Sequence, residues 1–158
     1  MSNKFEVSFN SPQCGWMSIG FENGESEFHT TTACEPHTRA LSEILQNLTA
    51  LLEAKEDFRA AKVAWSRNPE AYNLFFSRSG PTVHFQVVEY PGFDRLQTEG
   101  EIVFSHHGDV PDFCRAFHQT FAQLYADKET DEFEFNWRQP FPYEEYAHFE
   151  DALNRYGR

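Results

Sequence analysis

The sequence predicts an α+β fold: one domain in which an antiparallel sheet of about six or seven strands carries about three helices largely on one face. Three observations lead there. Residues 36–53, PHTRALSEILQNLTALLE, place Leu41, Ile44, Leu45, Leu48, Leu51 and Leu52 at three- and four-residue steps, the period of one helix face. The segments around this helix are short, separated by turn residues and mostly alternating, which suits an antiparallel sheet with one covered face. Two stretches near the C-terminus repeat the helical period.

In chain order, residues 5–10 read as a strand, with Phe5, Val7 and Phe9 alternating, and Ser11-Pro12-Gln13 breaks it. CGWMSIGFENGESEFHTTT comes next. Its Asn23-Gly24 is the pair a two-residue type I′ turn prefers, because both central residues need positive φ. Such a turn sets Ile19 opposite Phe28 and Phe21 opposite Ser26, with Met17, Ile19, Phe21 and Phe28 on one face. Pro36 suits the first turn of the leucine-rich helix, where a missing N–H costs nothing. Residues 55–59 read as a charged connection.

Strands are then expected at 62–67 with Val63 and Trp65 together, and at 71–77 with Tyr72, Leu74 and Phe76. Two more follow, at 82–90 with Val83, Phe85 and Val87, and at 100–105 with Ile102 and Phe104. Asn68-Pro69, Ser79-Gly80-Pro81 and Pro91-Gly92 separate them, and 93–97 is a less regular loop. Asp109 is placed to cap a helix that has Pro111 and Asp112 in its first turn. The stripe of that helix is Phe113, Phe117, Phe121 and Leu124, widened by Cys114 and Tyr125. Phe133, Phe135 and Trp137 alternate with period two, as in an edge strand or an extended crossing. The last helix begins near Pro142 and carries Tyr146, Phe149, Leu153 and Tyr156.

Composition narrows the function classes. A chain of 158 residues suits one domain with a sizeable core, here rich in phenylalanine, with 17 of them. A net charge of -12 argues against recognition of a nucleic-acid backbone and against docking on anionic membranes. No apolar run reaches the ~20 residues of a membrane span. The opening MSNKFEVSFN lacks a leader's apolar stretch, and Cys14, Cys34 and Cys114 are odd in number and without CxxC spacing. Both features lead us to expect reduced thiols and a cytoplasmic location.

Candidates for chemistry are few. His106-His107-Gly108-Asp109 offers two imidazoles and a carboxylate, but neighbouring strand residues point to opposite faces, and Asp109 is a natural cap. Two loop histidines before a capped helix is the better reading, so no metal is expected. His29 beside Glu27 and His84 beside Gln86 suit acid–base work only if a cleft brings them together with His106; the polar face of a half-exposed sheet explains them as well. Cys34 near a helix N-terminus is a candidate for a lowered pKa, whereas Cys114 falls on an apolar stripe. His118 and His148 read as helix surface. Nucleotide-binding and common hydrolase motifs are missing, and no cofactor is called for.

The strongest signal outside the core lies in residues 127–151, where nine acidic residues face two basic ones, more than half of the net charge in 25 positions. Phe133, Phe135, Trp137, Phe141 and Tyr143 are interleaved with them. Charge that steers encounter, together with aromatic anchors, is the make-up of an interface for a basic protein. The residues expected to bind such a partner are Asp131, Glu132, Glu134, Phe135, Trp137, Glu144 and Glu145. The alternative is a solvated helix face beside a strand whose rings pack inward.

The hairpin CGWMSIGFENGE, the leucine-rich helix, the alternating strands and the closing WRQPFPYEEYAHFEDAL resemble small bacterial cytosolic proteins, some of which are immunity partners of secreted toxins. The resemblance implies a stoichiometric inhibitor and carries over no functional residue. The expectation is therefore a non-enzymatic protein-binding module, of immunity type, for a basic toxin. A small enzyme or ligand-binding protein using His29, His84 and His106 is the first alternative. A homo-oligomer that buries surplus aromatics is the second.

Overall fold

The computed structural model describes residues 4–35, 37–54, 58–66, 70–90, 100–127 and 133–156. Seven strands pair antiparallel in chain order: β1 (Glu6–Phe9), β2 (Trp16–Glu22), β3 (Glu27–Ala33), β4 (Phe58–Ser66), β5 (Ala71–Ser79), β6 (Thr82–Tyr90) and β7 (Glu101–Asp109). Four helices accompany them: α1 (Ala40–Glu53) between β3 and β4, then α2 (Val110–Asp127), α3 (Phe133–Trp137) and α4 (Tyr143–Tyr156) after β7. The α+β class, the antiparallel sheet and its strand number are as the sequence predicts, with α3 as an additional helix.

The sheet is continuous but unevenly joined. β4, β5, β6 and β7 pair along most of their length, whereas among the described residues β3 meets β4 at Ala33↔Ser66. β1–β3 curl back towards β7. The loop after β2 thereby reaches β7, where Asn23 Nδ2 donates to the Ser105 carbonyl over 3.1 Å. Phenylalanine fills the interior of this curl. Phe21 meets Phe85 at 5.0 Å between ring centroids, and Phe5 stacks on Phe113 of α2 at 5.0 Å. Phe9, Phe76, Phe104, Phe117 and Phe121 complete the set, all buried. Fully burying one such ring contributes roughly 1.5–3 kcal/mol, so these side chains dominate the core.

α1 buries all six residues of its predicted stripe. The helix starts at Ala40 rather than at Pro36, which lies outside the described residues. Its C-terminal carbonyls need donors, and Arg78 on β5 supplies one by donating to Leu51 O. The same guanidinium donates to Gly80 O over 2.6 Å and lies 5.7 Å from the Tyr156 ring centre. One side chain therefore ties α1, the β5–β6 turn and α4 together.

Several local expectations are corrected. The hairpin pairs Phe21 with Phe28 and Ile19 with Thr30, so its loop is Asn23–Ser26 and not a two-residue turn. Asn23 keeps negative φ and accepts the N–H groups of Glu25 and Ser26 through its Oδ1. This side-chain-bridged loop displaces the type I′ geometry. β4 begins at Phe58, so part of the expected connection is strand. β7 runs on through His106, His107, Gly108 and Asp109, which are strand residues and not a loop. α2 follows without a break, its first N–H donating to Pro81 O.

Phe133–Trp137 is a helical turn rather than an extended crossing. Phe133 and Trp137 are the buried pair, four residues apart, while Phe135 faces solvent, so period four decides. Tyr125 is not part of the buried stripe of α2; it is exposed beside Tyr143. The expected irregular loop at 93–97 lies outside the described residues. Among the described residues no helix is long and apolar enough to cross a membrane.

Two substitutions test this framework. Arg78→Ala is expected to destabilise the fold by roughly 2–3 kcal/mol in urea unfolding, and lysine to restore less than half, since one ammonium cannot serve all three partners. Thr120→Val removes the hydroxyl that accepts the Phe9 N–H at 2.7 Å on the free edge of β1, with an expected cost of about 1–2 kcal/mol at nearly unchanged volume.

Candidate functional site

The acidic C-terminal region divides once its side chains are placed. Asp131 and Glu132 lie outside the described residues. Glu134 is exposed on α3. Phe135 beside it is 78% exposed, a large ring with most of its surface in water. Trp137, expected among the anchors, is only 2% exposed and packs edge-on against Trp65 at 6.2 Å. It is a core residue and leaves the candidate interface. α3 is held against β2 by the Gly15 N–H, which donates to Asn136 O over 2.6 Å.

Glu144 and Glu145 occupy the first turn of α4, where the helix dipole favours carboxylates. With Gln46 and Thr49 of α1 and His148, they line a groove of about 300 Å³. Beside them Tyr143 and Tyr125 are exposed, their rings 6.1 Å apart over buried Phe141. Sequence reading missed Tyr125 as a surface residue. It also missed His118, which is not bare helix surface: its Nε2 lies 3.0 Å from Glu150 Oε2, to which Tyr146 Oη also donates over 3.3 Å. Burial, reinforced by the Glu150 charge, pushes the Tyr146 hydroxyl up to about 12. That network joins α2 to α4.

The histidines expected to share a cleft do not. His29 is exposed on β3, 3.5 Å from Glu27 and directly opposite Gly20, where a Cβ would come within 2.5 Å of its ring. Its ligating atoms and those of Glu22 and Glu27 lie within 4.8 Å of one another, all on exposed residues. His84 and His107 stack at 4.1 Å between ring centres on the outer face. Burial, aided by the His107 imidazole, pushes the His84 pKa below its ordinary value of 6.5.

His106 faces inward. It is 6% exposed, stacks on Phe5 at 4.5 Å, and its Nδ1 lies 3.1 Å from Asn23 Nδ2. Phe5, Asn23, His106, Gly108, Phe113 and Arg115 are among the walls of a cleft of about 830 Å³ between β1, the β2–β3 loop, β7 and the start of α2. Adjacent His106 and His107 thus occupy opposite faces, as strand alternation requires.

Cys34 and Cys114 offer no activated nucleophile. Burial pushes Cys114 up to about 12. Cys34 is raised by burial and by Glu35, against a weaker opposing pull from Arg138, so the expected lowering near a helix start is not found.

Burial, followed by the neighbouring His107, holds the His106 pKa below 6.5, and Glu25 only partly offsets this. The unfolded chain takes up a proton near its ordinary 6.5 while the folded one resists. The His106 contribution to stability is therefore complete above that pH and is lost as pH falls towards the folded-state value, at up to ~1.4 kcal/mol per pH unit. Unfolding measured across this window should show a shallower pH slope in His106→Gln than in the native chain. His84 acts in the same direction but is present in both proteins, so the difference isolates His106.

No family model, no curated protein and no solved structure matches this chain.

Proposed function

We propose that this chain is a non-enzymatic, cytoplasmic protein-binding module of immunity type, which engages a basic protein through the surface formed by α3 and the start of α4. The observation that carries this reading is Phe135, 78% exposed on a helix whose neighbouring rings are buried. A phenylalanine left in water contributes nothing to the core, whereas in an interface it supplies the apolar anchor on which binding energy concentrates. Glu134 lies next to it, and the Glu144–Glu145 groove offers carboxylates to a lysine or arginine side chain. Tyr125 and Tyr143 add exposed rings with polar tips, a composition enriched at interfaces. The net charge of -12 supports the choice of a basic protein over a nucleic acid.

The binding surface so defined comprises Glu134, Phe135, Glu144 and Glu145, with Tyr143 and Tyr125 added and Trp137 removed. Capture from the native host's lysate at low salt should retain one basic protein in stoichiometric amount. Phe135→Ala should weaken retention about tenfold or more, as for an interface anchor. Glu134→Lys should chiefly slow association and flatten its salt dependence. Glu27→Lys, on the outer sheet face, serves as the control and should leave binding intact. Retention indifferent to Phe135 and Glu134 would sink the assignment.

A further inference from the structure

We infer that the cleft between β1, the β2–β3 loop, β7 and α2 is a binding site for a small zwitterion, a molecule carrying a carboxylate and an ammonium group, which accepts a hydrogen bond from His106 Nε2. The argument starts from Asn23. Its Oδ1 accepts the backbone N–H groups of Glu25 and Ser26 at 3.1 and 3.0 Å, and its Nδ2 donates to Ser105 O. Two donors on one side and an acceptor on the other leave the amide one orientation. The group it presents to His106 Nδ1 at 3.1 Å is therefore an N–H. Nδ1 must hold the lone pair, and the proton of the neutral ring is on Nε2.

That proton has no acceptor in the protein among the described residues. It belongs to a ring only 6% exposed but is not among the sealed, unpaired polar atoms, so it opens onto the cleft and donates to whatever fills it. The Nε2 edge lies over Gly108, where a Cβ would sit 2.8 Å from the nitrogen. Any side chain at that position would crowd this edge. Both residues line the cleft, whose volume of about 830 Å³ falls within the range of small-molecule sites. The same tautomer argues against a metal here, since a metal would need the Nε2 lone pair.

The charges around the cleft choose the ligand class. Lys4 and Arg115 stand at its mouth with Glu25, Asp109 and Asp112. Three acids against two bases disfavour a polyanion such as phosphate. A molecule with both signs meets partners for each: its carboxylate for His106 and the bases, its ammonium for the acids. Phe5 and Phe113 offer apolar surface to its remaining carbons.

The test is a thermal-shift and calorimetric series with glycine, L-leucine and L-phenylalanine, each at about 10 mM to reach millimolar affinities. Acetate, n-butylamine and inorganic phosphate are the single-sign controls. Nitrogen NMR of the imidazoles provides the site readout. The expected result is stabilisation by at least one amino acid and by none of the controls, with movement of the His106 Nε2 signal. Arg115→Ala, a change on the exposed face of α2, should weaken that binding about fivefold or more, as for one lost charge-assisted contact. His106→Phe, which keeps the stacked ring, should abolish it. An imidazole protonated on Nδ1 would overturn the inference. So would stabilisation by phosphate equal to that by the amino acids, no response to any of the three amino acids, or binding unchanged in His106→Phe.

Discussion

The rings of Phe113, Phe117 and Phe121 on one side of α2 have to be covered from several directions at once, and most of the architecture follows from this. A flat sheet would meet them on one side only. With β3 and β4 joined at Ala33↔Ser66 among the described residues, β1–β3 come round to the other side. Phe5, just ahead of β1, meets Phe113, and Phe9 of β1 meets Phe117; Phe76 of β5 and Phe85 of β6 meet both of these α2 rings. Trp65 beside that junction donates its indole N–H to Ala33 O over 3.0 Å, so a side chain bridges where the ladder does not.

Bending brings a second constraint, because a curled sheet that stops short of closure keeps two edges. Each is answered with one polar side chain. On β1 the Phe9 N–H points at α2, and Thr120, in an otherwise apolar stripe, accepts it. On β7 the Ser105 carbonyl is met by Asn23 from the far hairpin. Both polar residues are buried, and both are satisfied by backbone rather than by each other. Asn23 also orients His106, so the contact that covers the β7 edge is the one that shapes the inner cleft. Stability and site chemistry meet at that residue.

The elements set by periodicity were legible in the sequence. The α1 stripe, the alternation along β5 and β6 and the phenylalanine ridge of α2 are each decided by spacing within one segment. Readings that failed depended on partners far away in the chain. The hairpin register is two residues off because Asn23 bridges Glu25 and Ser26 and reaches across to β7, a role no local turn preference encodes. α3 looked like a strand because five residues hold too little pattern to tell period two from period four; Trp65 decides it by packing on Trp137. The histidines at 106 and 107 read as loop residues because Asp109 looks like the cap of the helix that follows, whereas β7 continues to Asp109 opposite Thr82. The candidate interface was half visible: charge can be counted from sequence, but which rings face water depends on that packing.

Excess charge alone would not distinguish a functional surface here, because this protein carries acids that its fold does not need. Glu6, Glu22 and Glu27 stand directly opposite one another on three adjacent strands, an arrangement that costs stability through like-charge repulsion. Lys4 at 3.3 Å from Glu6 relieves it only at the surface, where such pairs are weak. Glu144 and Glu145 have the opposite standing, since the N-terminus of α4 stabilises them and gives a structural reason for acids at those positions. Neither group by itself separates solvation from recognition. In the proposed reading Phe135 does, because an exposed phenylalanine is explained neither by helix electrostatics nor by solubility. In that reading its burial against a partner would recover the apolar transfer energy that folding left unused, and the surrounding carboxylates would favour a basic one.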